Sequence, residues 1–190
     1  MKKILFFPAS LRRGSHQRRL VGHLCGLLGA GFEYDIVEAG EIDLPIYNQD
    51  LEGNASIVDA LVPLGARFAA ADGLVVCSPE YKAHVSPYLK NTVDWLSRIP
   101  RLAPSEPYPF SMKPLLLASA STGWTGGVLG LQDARKIFSY LGCLVHPGQI
   151  CVSSADHWAQ GDSYRFSEEF AAHVRNMMES FLSLVGVSHD

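Results

Sequence analysis

Apolar and polar positions along this 190-residue chain alternate between two periods, one of strands and one of helices. Ile4 to Phe7 is an unbroken apolar run closed by Pro8, which reads as a strand buried on both faces. From Ser15 to Leu28 the residues Leu20, Leu24, Leu27 and Leu28 recur at helical spacing, and Gly29-Ala30-Gly31 supplies a stop. Phe32 to Val37 alternates apolar with polar, as a strand exposed on one side does, so it belongs at a sheet edge. A loop follows from Ala39 to Asn54.

Ser56 to Ala71 resumes the helical pattern, with Pro63 required either in the first turn or at a kink. Gly73 to Cys77 is a second buried strand, broken at Ser78-Pro79-Glu80-Tyr81. Pro87 suits the first position of a helix carrying Leu89, Val93 and Leu96 on one side. The prolines crowded between Pro100 and Pro114 rule out regular structure there, and a strand returns from Pro114 to Ser119. A glycine-rich loop (Gly123 to Gly130), a helix with Ala134, Ile137, Phe138 and Leu141, and a strand near Cys143 to Val152 come next. Phe166, Phe170, Val174, Met177, Met178, Phe181, Leu182 and Val185 then step by three and four along a last helix. Five strands alternating with five helices predict an α/β domain with a parallel sheet, spanning 1–190 as one unit, since domains run to roughly 100–200 residues.

Composition narrows the function. With 47% apolar and 18% charged residues the chain lies in the range of folded globular proteins. A net charge of −3 argues against a duplex-binding surface, which carries a basic excess, and is too mild for the acidic docking face of a small electron carrier. The four cysteines (Cys25, Cys77, Cys143, Cys151) form no C-x-x-C pair and read as buried reduced thiols. The seven histidines (His16, His23, His84, His146, His157, His173, His189) join no metal-ligand pattern, so no metal is expected. No apolar stretch approaches the ~20 residues of a membrane span, so no membrane contact and a cytoplasmic location are expected.

In such a sheet ligands bind beyond the carboxyl ends of the strands, where the strand order reverses. Three loops lie there. The first, Pro8 to Arg19, offers hydroxyls, a glycine, guanidiniums and a helix N-terminus, the donors a phosphate needs. Arg12 is the sharper candidate, whereas Arg18 and Arg19, inside the helix, fit a solvated face. The P-loop and G-x-G-x-x-G patterns are both missing, which leaves a monophosphate as the best fit and Glu38 as a surface carboxylate. The second loop, Ser78 to Pro87, holds its backbone with two prolines beside an aromatic ring and suits a flat heterocycle; His84 reads as a loop hydrogen-bonder. No G-x-S-x-G elbow surrounds Ser10 or Ser121, which counts against acyl transfer. In the third loop, Ser119 to Gly127, glycines allow close backbone approach, and Trp124 either covers a pocket or caps the next helix.

Together the loops resemble the NADPH-dependent FMN reductase family of flavodoxin-like proteins, which includes bacterial chromate and quinone reductases and related azoreductases. The family pattern is roughly G-S-x-R-x-x-S-x-N, P-E-Y-N-x-S-x-P-G-x-L-K-N-A-I-D-W and S-x-G-x-x-G-G. Here the segments are Ala9 to Gln17, Pro79 to Trp95 and Ser121 to Gly127, in the same order. The resemblance implies a three-layer sandwich with a five-stranded parallel sheet of order 2-1-3-4-5. It implies FMN, its phosphate held by Ser10, Arg12, Ser15 and Gln17. Pro79, Glu80, Tyr81 and Lys82 would line the isoalloxazine with backbone amides, and Ser121 and Gly123 would complete the cleft.

The implied chemistry is hydride transfer from NAD(P)H to flavin, then electron delivery to a quinone, azo compound, metal oxyanion or free flavin. No catalytic side chain is required, because the flavin carries the reaction. A homodimer or homotetramer is implied, with the helix from Pro87 to Ser97 and its Trp95 in the interface. The chain departs from the pattern at Ala9 (for Gly), Gln17 (for Asn), Lys82 (for Asn) and Leu129 (for Arg). Lys82 would either raise the flavin potential or point to solvent, and Arg13 or Arg18 could favour NADPH over NADH. Two other classes stay open: a flavodoxin-like electron carrier, and a binding or regulatory protein without tight flavin.

Overall fold

A computed structural model describes residues 1–186; His189 and the rest of 187–190 lie outside the described residues. Five parallel strands, β1 (Lys2–Pro8), β2 (Phe32–Ile36), β3 (Gly73–Cys77), β4 (Pro114–Ala120) and β5 (Leu144–Val152), form a sheet of order β2-β1-β3-β4-β5. That is the expected topology, with Phe32–Ile36 at one edge. Register aligns Phe7 with Val76 and Val76 with Leu117, so the three central strands end together.

Each central strand is apolar on both faces because both faces are covered. Leu5 and Phe7 of β1 join one core with Phe68, Leu89 and Phe138, from α2 (Ala55–Ala70), α3 (Pro87–Leu96) and α5 (Val128–Tyr140). Ile4 and Phe6 point the other way, into a core with Leu20, Leu24, Val174 and Phe181, from α1 (His16–Cys25) and α7 (Glu168–Gly186). The chain therefore winds to opposite faces on either side of β1 and β3, and this reversal places a crevice at their carboxyl ends.

Three expectations need correcting. Pro63 lies in the middle of α2, on its exposed side, where the missing N–H leaves a carbonyl facing water; the helix continues through it. The proline-rich stretch is not wholly irregular: Ile99–Leu102 forms one helical turn, α4, with Pro100 in the first turn, where its absent N–H costs nothing. Trp95 is fully buried, donates Nε1–H to Pro45 O at 2.8 Å and packs edge-on against Tyr47, so it belongs to its own core and not to an interface.

Elements smaller than the sequence resolved complete the fold. A 3₁₀ turn (Gln49–Leu51) interrupts the long loop, and a helical turn, α6 (Ala155–Trp158), leads into a two-stranded hairpin, β6 (Ala159–Gln160) and β7 (Ser163–Tyr164). The four cysteines are free; burial pushes the thiols of Cys25 and Cys143 up to about 12. Among the described residues no helix is long and apolar enough to cross a membrane.

Candidate functional site

Ser15 starts the site because it ends the first loop. Its hydroxyl caps α1 by accepting from Arg18 N at 3.1 Å, and its carbonyl accepts from Arg19 N. Among the described residues no protein acceptor takes the N–H groups of His16 and Gln17, so the positive end of the helix faces the crevice. Ser10 is buried beside it, and its hydroxyl oxygen lies 3.4 Å from Arg12 N. Ala9, the loop's departure from glycine, is fully buried and its φ is not positive, so its Cβ is accommodated without strain.

Gln17 carries the other departure and turns it to use. Its Nε2 donates to Ala120 O at 2.7 Å and its Oε1 accepts from Ala120 N at 3.2 Å, tying α1 to the end of β4. The amide is thus a strut beneath the loop. Arg18 is committed elsewhere, in a two-pronged pair with Glu38 at 2.8 and 2.6 Å, and Arg19 donates to Gly161 O at 2.8 Å. Arg12 is the exposed guanidinium that remains on the cleft wall.

The second loop is fastened to the third. Glu80 accepts from Gly130 N at 2.9 Å, at the start of α5, and a side chain on Gly130 would come within 3.0 Å of His84 O. Ser86 caps α3 and donates to Ala9 O at 2.8 Å, joining the second loop to the first. His84 accepts from Val85 N at Nδ1 (2.9 Å) and so presents Nε2–H to Asp133 at 3.4 Å, which makes it the loop hydrogen-bonder expected. Tyr81 and His84 exchange main-chain bonds of 3.0 and 3.2 Å around a tight turn whose central residues, Lys82 and Ala83, both have positive φ (53° and 61°). In the third loop Gly127, at φ 89°, packs where a Cβ would stand 2.0 Å from Ser119 Oγ, and Ser121 Oγ accepts from Gly123 N at 3.1 Å.

These bonds bring eight of the ten expected residues onto one cleft of about 160 Å³: Ser10, Arg12, Ser15, Gln17, Pro79, Glu80, Tyr81 and Ser121. Lys82 points its turn to solvent and Gly123 stands outside the lining. Three lining residues escaped the sequence reading, His16, Ala120 and Thr122. His16 was masked because its partners are remote in sequence: Asp156 Oδ1 lies 3.1 Å from Nε2 and the Tyr164 hydroxyl 2.9 Å from Nδ1. The segment around His157 and Trp158 thus reaches the cleft through Asp156, while Trp158 packs inward and donates to Ser153 O at 3.2 Å.

The donor set, two hydroxyls, one guanidinium and two helix-end amides, fits a phosphate monoester. The sequence profile of the NADPH-dependent FMN reductases matches residues 2–157. The chain belongs to the NADPH-dependent FMN reductase family. A quinone reductase of Escherichia coli (strain K12) is 31% identical over 143 residues, 75% of this chain and 72% of that protein. An NAD(P)H-dependent FMN reductase of Pseudomonas aeruginosa is 30% identical over 158 residues, covering 82% and 80%. The solved structure of FerB, a flavoenzyme NAD(P)H:(acceptor) oxidoreductase from Paracoccus denitrificans, superposes with a TM-score of 0.81 over 98% of both chains at 22% identity, which speaks for the fold.

Membership in the FMN reductase family makes this chain an NAD(P)H-dependent enzyme with FMN as its cofactor. The flavodoxin-like expectation stands with it.

Proposed function

We propose that the protein is a quinone reductase whose FMN phosphate is held by Ser10, Arg12, Ser15 and the first-turn amides of α1. Bound there, FMN would supply hydride and electron transfer between NAD(P)H and the acceptor. Pro79, Glu80 and Tyr81 offer main chain to the ring system, and Ser121 closes the far wall. Gln17 acts indirectly, by fixing α1 against β4. The observation that carries the assignment is the convergence of the three loops on one cleft at the sheet's reversal point. A quinone is the preferred acceptor class because relatives bearing that name match this chain at 31% identity. The reading includes one flavodoxin-like domain, a homodimer or homotetramer, and a cytoplasmic location.

The test is the visible spectrum of the purified chain with FMN, before and after anaerobic NADPH, followed by a benzoquinone. Flavin absorbance that bleaches with NADPH and returns with the quinone is the expected result. FMN that stays free in solution would refute the cofactor site, and bleached flavin that the quinone fails to reoxidise would refute the acceptor class.

A further inference from the structure

His16, on the cleft wall, is held by charged and polar side chains from elsewhere in the chain. Its side chain is 12% exposed. Asp156 of α6 faces Nε2 at 3.1 Å, and Tyr164 of β7 faces Nδ1 at 2.9 Å with its ring stacked on the imidazole. Arg19 Nη1 lies 3.3 Å from the same Nδ1, and its guanidinium stands over the Tyr164 ring. Arg12 shares the cleft wall. Burial pushes the Tyr164 phenol up to about 12, so it stays neutral and serves as a hydroxyl.

Both protonation states of the ring find partners in this one arrangement. In the neutral state Nε2–H donates to Asp156 and Nδ1 accepts from the Tyr164 hydroxyl, with Arg19 as a second donor. In the charged state Nδ1–H donates to the Tyr164 oxygen, whose hydrogen turns to His16 O, 3.2 Å away. A hydroxyl rotates and the ring stays, so the proton is decided by the surrounding charge. Burial, Arg19 and Arg12 all hold the imidazole below its usual value, with Asp156 opposing them. A phosphomonoester dianion in the cleft adds negative charge on the Arg12 side and reverses that balance.

We propose that His16 is a proton-coupled positioning residue: binding of the FMN phosphate raises the proton occupancy of its imidazole, by up to one proton drawn from solvent, so FMN is held more tightly as pH falls. This rests on the cofactor site assigned above. The competing explanation is that His16 merely braces α1 against the β6–β7 hairpin, and a brace does not change proton count.

The test titrates FMN into the flavin-free full chain by calorimetry at pH 7 in two buffers of different ionisation heat, with dissociation constants from flavin fluorescence at pH 6.5 and 8. Riboflavin is the probe without phosphate. FMN's own phosphate, with its second pKa near ~6, is mostly dianionic above pH 7 and contributes little. Roughly half a proton is expected to enter per FMN, with affinity falling about fivefold from pH 6.5 to 8, within the tenfold per pH unit that one coupled proton allows. Riboflavin takes up none. His16→Gln, whose amide can still reach Asp156, is expected to bind FMN with neither proton uptake nor pH slope. Asp156→Asn, which removes the carboxylate that favours the charged ring, moves the slope to lower pH.

FMN binding without proton uptake in the wild type, or an undiminished slope in His16→Gln, overturns the proposal while leaving the cofactor site intact. FMN that binds at no pH overturns both. Should His16→Gln lose its fold, the wild-type proton count and Asp156→Asn decide the matter.

Discussion

Gln17 and Ala120 bond each other in both directions, side-chain amide to main-chain amide, with Nε2 to O at 2.7 Å and N to Oε1 at 3.2 Å. Both residues are buried, so water cannot replace either bond. Gln17→Ala leaves an N–H and a C=O of β4 without partners, and at ~1–3 kcal/mol for each orphaned group the expected loss is about 3 kcal/mol. Gln17→Asn, the residue of the family pattern, is one methylene too short to span the gap unless α1 moves, and should fall between. Urea midpoints of the flavin-free proteins measure this. An alanine variant within about 0.5 kcal/mol of the wild type, the scatter of ordinary surface changes, would show that the pair is incidental.

The turn at Lys82-Ala83 stores strain beside the cleft. Two consecutive left-handed residues form the tight reversal between Tyr81 and His84, a geometry that asparagine and glycine adopt readily and other residues at about 1–2 kcal/mol each. Ala83→Gly relieves one of them but adds freedom to the unfolded chain, about 0.4–1 kcal/mol the other way. The expected net gain is about 0.5 kcal/mol, read as a rise of roughly 1–2 °C in melting temperature for a chain of this size. A melting temperature that falls would mean that the backbone at Ala83 is held by something other than its own conformational preference.

The same two features show what the sequence could and could not disclose. The parallel sheet was legible because continuous apolar runs mark buried strands, and the cleft because Ser10, Arg12, Ser15, Pro79 to Tyr81 and Ser121 sit in short loops directly after them; the strand order came from the family resemblance alone. Roles were harder. The resemblance implies Gln17 as a phosphate ligand, yet its side chain is spent on a strand 103 residues away. Glu80 lines the cleft as expected, but its carboxylate anchors Gly130. Trp95 was placed at an interface by resemblance, whereas its indole N–H finds Pro45 O in its own chain. Each miss is a contact between residues far apart in sequence, which no local periodicity encodes.

Arg12 and Arg18 should separate cleanly in binding experiments, although both lie in the arginine-rich first loop and helix. Arg12 remains on the cleft wall, while Arg18 is paired with Glu38 through two bonds on a half-exposed surface. Loss of a charge-assisted hydrogen bond costs about 1.5–3 kcal/mol, so Arg12→Ala should weaken FMN binding about 10- to 100-fold and leave riboflavin binding nearly unchanged. Arg18→Met should leave FMN affinity within about twofold and cost at most ~1 kcal/mol of stability, as exposed ion pairs do. Fluorescence titrations with both flavins measure the difference. Equal losses in the two variants would place the phosphate elsewhere along α1.

Histidine burial sets the pH dependence of the flavin-free protein. His16 and His23 are both held below the usual imidazole value, in each case mainly by burial. The folded state therefore binds fewer protons than the unfolded chain once pH drops below about 6.5, and stability must fall with falling pH through that window. The slope is at most about 1.4 kcal/mol per pH unit for each proton by which the two states differ. Asp35 and Asp72 cannot mimic the effect. Arg67 holds Asp35 low, and for Asp72 the upward push of burial is outweighed by hydrogen bonds from Lys3 N and Lys2, so both stabilise the fold above pH ~4 and lose that contribution only below it. Urea midpoints at pH 7.5, 6.5 and 5.5 should decline for the wild type and flatten in a His16→Gln, His23→Gln double variant. A wild-type midpoint that is level from 7.5 to 5.5 would mean that both imidazoles accept protons in place, and for His16 that the hydroxyl rotation of Tyr164 already satisfies the charged ring without phosphate.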